Sequence, residues 1–142
     1  MKSRINWVEG RTFIGQSGSG HSYVFGRSDG PDGHSLMASP MELVLMGLGG
    51  CTAFDVVQIL EKGRQPIEGC VAELDAERAA TDPKVFTKIA VHFIVTGRGL
   101  DPAKVDRAIK LSAEKYCSAS AMIGKTAEIT YDFEIVEPPA AT

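Results

Sequence analysis

The chain has 142 residues, 44% of them hydrophobic and 23% charged, with a formal charge of -3 at pH 7. That balance fits one globular domain over residues 1–142, with enough chain for a real core and too little for two ordinary ones. No Lys/Arg block stands out, which argues against nucleic acid or anionic lipid as a partner. The start, MKSRINWVEGR, lacks the apolar stretch of a secretory signal, so a cytoplasmic protein is expected.

Residues 2–27 read as two or three strands. Ile5, Trp7 and Phe13 supply apolar faces, Gly10 and the Ser/Gly run at 17–20 mark turns, and Tyr23-Val24-Phe25 resumes extended structure. Residues 28–39 form a loop rich in Gly, Asp and Ser. Ser39-Pro40 then announces a helix, with Ser at the N-cap, Pro in the first turn and Glu42 close behind. It is predicted to run to about Lys62, where Gly63 stops it. Its first half, Met41 to Leu48, is apolar nearly all round and should be buried on every side; its second half turns amphipathic at Asp55, Gln58 and Glu61-Lys62. The run from Leu43 to Leu60 is interrupted by Thr52, Asp55, Gln58 and three glycines, which makes it a poor membrane span and a good buried helix.

Two strands follow, roughly 67–79 and 84–97, joined by Thr81-Asp82-Pro83-Lys84; in the second, Ile89, Val91, Phe93 and Val95 alternate. Asp101-Pro102 caps a second helix to about Tyr116, with Val105, Ala108, Ile109 and Leu111 facing in. A Ser/Ala stretch and Gly124 precede a last strand, 126–136. The order β-β-β-α-β-β-α-β argues an α+β fold with mainly antiparallel sheet. A long helix with an all-round apolar half needs more cover than this chain readily provides, and a second copy is the natural supplier, so a homodimer is expected.

Three cysteines at irregular spacing, with no CxxC and no Cys/His cluster, fit neither a disulfide scaffold nor a structural zinc site. Cys51 follows Gly49-Gly50 inside the first helix, and each glycine there costs roughly 1 kcal/mol relative to Ala. Two readings are open: the missing side chains admit a small substrate to the sulfur, or they allow a tight helix crossing beside an inert thiol. Cys117 ends the second helix, where a thiol can move without breaking a core. Cys70, between Gly69 and Val71, reads as a small core or edge residue.

The run from Ser39 to Cys51, SPMELVLMGLGGC, resembles the helix start leading to a Gly/Ala-Cys in the OsmC/Ohr superfamily. Tyr116-Cys117 is similar to the superfamily's second cysteine site. Trp7-Val8-Glu9-Gly10, Ser19-Gly20-His21 and Phe93-Ile94-Val95-Thr96-Gly97 resemble its YhfA-type branch, and the likeness runs in the same order along almost the whole chain. The resemblance implies an OsmC-like fold in which long central helices pack between sheets in an interlocked homodimer, with thiol sites at the subunit seam. It further implies that Cys51 attacks a hydroperoxide and becomes a sulfenic acid, that Cys117 condenses with it to a disulfide, and that an external dithiol reduces the pair. No metal or bound cofactor is implied.

Peroxide attack needs a thiolate, and a free Cys has a pKa near 8.5, so a nearby cation is called for. Ohr-type members use an Arg from the N-terminal region held by a Glu just after the helix-starting Pro. That position is Met41 here, and the acid stands one place on, at Glu42. Nine residues of helix put Glu42 roughly 13.5 Å from Cys51 and half a turn out of phase, so it meets the sulfur only across a dimer; its other reading is a helix-start acid. Arg4, Arg11 and Arg27 are the candidate cations, with Arg4 and Arg11 the two carried forward. Asp55, four residues past Cys51, opposes thiolate formation if it shares that face without a partner. His21 and His34 read as solvated loop residues, and Met37, Met41 and Met46 as core filler or the lining of an apolar pocket. A peroxidase is thus expected first; a small-ligand binder or a general thiol-disulfide protein of the same fold are the alternatives.

Overall fold

Two glycine-bearing turns fold the start of the chain into a meander. The computed structural model describes residues 1–32 and 34–139, and in it β1 (Ser3–Glu9), β2 (Thr12–Ser17) and β3 (Ser22–Gly26) form an antiparallel sheet in that order. The Trp7 indole donates to the Gly10 carbonyl at 3.0 Å, and Ser17 N–H donates to the His21 carbonyl at 2.9 Å, closing the two turns. Gly26 lies at φ 144°, and a Cβ there would overlap the Arg11 carbonyl oxygen, so glycine is required where the chain leaves the sheet. Phe13 and Phe25 stack with centroids 5.9 Å apart. These strands belong to an N-terminal unit, Met1–Val44; a second unit spans Leu45–Thr142.

α1 (Pro40–Lys62) begins as the sequence predicts. Glu42 N–H donates to Ser39 Oγ at 3.3 Å and Ser39 N–H donates to Glu42 Oε2 at 2.7 Å, a reciprocal capping box. The helix ends before Gly63, although the left-handed residue there is Arg64, at φ 54°. The chain buries one stripe of α1, namely Leu48, Gly49, Thr52, Val56 and Leu60, while Val44, Met46 and Phe54 stay exposed. The expectation of burial on every side of its first half is therefore not met by this chain's own residues, because the remaining elements cover only one face. On length and composition alone α1 is apolar enough to cross a bilayer, where the sequence reading made it a poor span. Its hydroxyl and carboxylate groups nonetheless have partners inside the second unit, as described below.

That unit carries β4 (Gly69–Arg78) antiparallel to β5 (Phe86–Thr96), and β6 (Glu128–Val136) parallel to β5, with β5 in the centre. Ile89, Val91, Phe93 and Val95 are buried, as their alternation predicts. The parallel pair needs a long crossover. α2 (Pro102–Leu111) supplies it, capped by Asp101 accepting from Ala103 N–H at 2.9 Å and burying Val105, Ala108 and Ile109. The second helix does not run uniformly to Tyr116: beyond Leu111 it widens into a π-helical turn, Ser112–Tyr116, and a short α3 (Ser118–Ile123) follows.

Candidate functional site

On α1, Cys51 and Asp55 stand one turn apart and share a face. The neighbouring glycines divide the two readings left open by the sequence. A Cβ on Gly49 would come within 2.6 Å of Leu74 Cδ1, so this glycine permits close approach of helix and sheet. A Cβ on Gly50 would meet nothing within 4 Å, and Gly50 lines an open groove with Ala53, Phe54 and Cys70.

The π turn supplies the opposing side. Cys117 N–H donates to the Ser112 carbonyl at 2.9 Å, five residues back, which is the wide winding of a π turn. Cys117 then leaves helical geometry at φ -72° and ψ 103° and caps α3, its sulfur accepting from Ser120 N–H at 3.3 Å. It is therefore a buried hinge between two helical segments rather than a free helix end, with 3% of its surface exposed.

These elements bring together what the sequence keeps apart. The sulfurs of Cys51 and Cys117 and a carboxylate oxygen of Asp55 all lie within 4.8 Å of one another. Both thiols are free. Asp55 is partnered: the Ser112 hydroxyl donates to its Oδ2 at 3.0 Å. Thr52, buried beside Cys51, donates its hydroxyl to the Gly49 carbonyl at 3.1 Å. From β6, the Tyr131 hydroxyl meets Ser120 Oγ at 2.8 Å.

Burial pushes the Cys117 thiol up, the Cys51 sulfur beside it adds to that rise, and hydrogen bonds from Ser120 oppose it. The Cys117 thiol is thereby held toward its protonated form. Burial also pushes the Tyr131 phenol up, with the Ser120 hydroxyl opposing and the potential of both sulfurs adding.

The other predicted residues have surroundings within their own units. Glu42 belongs to the N-terminal unit, where its bonds to Ser39 hold its carboxyl below the usual range. Arg4 and Arg11 are exposed in the same unit, with Arg4 Nε donating to Asn6 Oδ1 at 3.1 Å; Arg27 pairs with Asp29 at 3.6 Å. His21 is exposed beside Ser19 and His34 is exposed in its loop. Met37 and Met41 are half-buried and Met46 is exposed. Cys70 lies on β4, an edge strand, half-buried and pushed up by burial.

Three members of the site escape a reading of the sequence. Ser112 continues the inward stripe of Val105, Ala108 and Ile109, and a buried hydroxyl on an apolar stripe demands a partner. Tyr131 sits on the inward face of β6 with Ile129 and Phe133, where a phenol likewise needs one. Ser120 carries no such signal.

Comparison with known proteins places this geometry in context. A family model described as OsmC-like protein matches residues 32–132. Protein YhfA of Escherichia coli K12 is 52% identical over 136 residues, covering 96% of this chain and 98% of that protein. The crystal structure of a hypothetical protein from Aquifex aeolicus superposes with a TM-score of 0.84 at 27% identity, covering 96% of each chain. That of an organic hydroperoxide resistance protein OsmC from Legionella pneumophila shares the fold at a TM-score of 0.66 and 15% identity, covering 94% of this chain and 95% of that one.

Proposed function

This chain belongs to the OsmC-like protein family, and from that premise we propose that it is a cysteine-based reductase of hydroperoxides, organic ones foremost. The observation that carries the reading is the closeness of the two sulfurs, within 4.8 Å, with one of them held toward its protonated form. Cys51 is the attacking residue: it is half-buried where Cys117 is buried. Its thiolate takes the terminal oxygen of ROOH; the O–O bond breaks, ROH leaves with a proton, and Cys51 becomes a sulfenic acid. Cys117 then attacks that sulfur, the S–O bond breaks, water leaves, and a disulfide remains. To reach the bond length of about 2.05 Å the sulfurs close by less than about 3 Å. An external dithiol returns the pair to its reduced state by exchange. The hydroperoxide resistance named for the Legionella protein of the same fold supports this reading.

Two further parts belong to the proposal. The chain acts as a homodimer in the cytoplasm, the second copy covering the exposed Val44, Met46 and Phe54 of α1. Glu42, Arg4 and Arg11 are the candidates for activating the Cys51 thiolate, as in the Ohr-type arrangement.

The deciding experiment is hydroperoxide consumption with a dithiol reductant. Cys51→Ser is expected to lower turnover at least about a thousandfold, as loss of a nucleophile does, while Cys117→Ser leaves a single stoichiometric oxidation and no disulfide. Unchanged turnover in Cys51→Ser ends the proposal. A second reading, small-ligand binding without efficient peroxide chemistry, is favoured by an apolar cavity of about 450 Å³ in the N-terminal unit, lined by Ile5, Tyr23, Phe25, Pro40 and Leu43. A purified protein holding a tightly bound apolar molecule and failing to consume hydroperoxide would select it. Equal rates with hydroperoxide and a small disulfide would point instead to general thiol-disulfide exchange.

A further inference from the structure

The spacing of the cysteines in the chain carries no zinc signature, yet the fold assembles a donor set for one. Cys51, Cys117 and Asp55 present two sulfurs and a carboxylate oxygen within 4.8 Å of one another, in a half-buried to buried setting. A tetrahedral zinc-type ion, with metal–sulfur bonds of about 2.3 Å, holds two sulfurs about 3.8 Å apart. The donors thus stand within about 1 Å of coordination spacing before any ion enters.

The surroundings are those of a metal centre's outer shell. Ser112 Oγ donates to Asp55 Oδ2 at 3.0 Å, which holds the carboxylate in place. Ser120 N–H donates to the Cys117 sulfur at 3.3 Å, a bond that stabilises a coordinated thiolate. Burial raises the cost of two thiolates and a carboxylate without a counter-charge. A divalent ion would balance that charge.

We propose that the reduced Cys51–Cys117 pair, with Asp55 as third ligand, binds one soft divalent cation of the zinc class, leaving a fourth position for solvent. The ion is a ligand of the resting thiols, not a participant in turnover. It releases two thiol protons on entry, occupies the lone pairs that attack peroxide, and cannot bind once the pair is a disulfide. The proposal shares its residues with the peroxidase reading but does not depend on it.

The test uses the reduced full-length protein with cadmium and zinc salts alone. One Cd²⁺ per chain is expected, with thiolate-to-metal charge-transfer absorption that Zn²⁺ displaces. Cys51→Ser and Cys117→Ser should each weaken Zn²⁺ binding at least about a hundredfold, Asp55→Asn about tenfold or more, and Cys70→Ser not at all. A second arm needs no variant: saturating Zn²⁺ should slow alkylation of Cys51 and Cys117 by iodoacetamide at least about tenfold in the wild type, while Cys70 reacts as before. Absence of the charge-transfer band, binding that survives loss of either cysteine, or binding lost with Cys70 overturns the proposal. Hydroperoxide turnover measured in a chelator is the separate readout. Metal binding without turnover removes only the peroxidase reading, and turnover without metal binding removes only this one.

Discussion

Two strands with the same alternation meet different fates. In β5, Ile89, Val91, Phe93 and Val95 are 1% exposed or less, whereas in β1 Ile5 and Trp7 are 57% and 68% exposed. β5 is the middle strand of its sheet and shares its unit's core with Leu48, Val56 and Leu60 of α1 and Val105 of α2. β1 lies at a sheet edge in a unit with little apolar cover of its own. Alternation therefore specifies which face is apolar, and the rest of the assembly decides whether that face is dry. The two neighbouring thiols sit in the unit that buries itself.

The contrast can be broken in three places. The largest effect is expected from Phe93→Ala, which empties a fully buried site and should cost about 3–5 kcal/mol in denaturant unfolding. Trp7→Ala should cost about 0.5 kcal/mol or less if β1 stays wet; a loss above about 2 kcal/mol that fades on dilution would show a second copy drying that face. Next, Phe54→Asp charges the exposed side of α1. If that side is the seam of a homodimer, the dissociation constant by sedimentation should rise at least about a hundredfold, equivalent to about 2.7 kcal/mol. An unchanged association would move the seam elsewhere.

The smallest effect concerns the exposed cross-strand group on β5 and β6. His92 Nδ1 meets Asp132 at 2.8 Å and Nε2 lies 3.7 Å from Glu134, and the hydrogen bond to Asp132 foremost raises the imidazole above its usual value. A raised folded value means the pair stabilises fully below the unfolded value near 6.5 and ceases to do so as pH rises through the folded one. The stability difference between wild type and His92→Gln should shrink over that window. A difference that is flat with pH would show that solvent screens the pair entirely.

Much of the fold is legible in the residues. The start and end of α1 follow from Ser39-Pro40 and Gly63, and the dry face of β5 follows from its alternation, because these are local signals. The direction of β6 is not legible, since alternation is the same in parallel and antiparallel strands. The site divides similarly. Cys51 stands out beside its glycines, and Asp55 is visible as a one-turn neighbour. Its partner Ser112 is not, because a hydroxyl on a helix face announces only that it needs company. Nor does any local pattern foretell that Cys117 comes within reach of Cys51, since the fold alone joins positions so far apart in the chain.

The wide turn at Ser112–Tyr116 holds one residue more than an ordinary helical turn would. Because the extra residue is taken up within that one turn, its removal would let the segment rewind with α spacing while what lies beyond keeps nearly its place around the axis. The Cys117 sulfur would stay on the side that meets α1, and the core stripe of α2 would stay in place as well. A single-codon deletion here should therefore leave the two thiols within reach, whereas one inside α2, which has no spare residue to give up, would turn everything beyond it by about 100°.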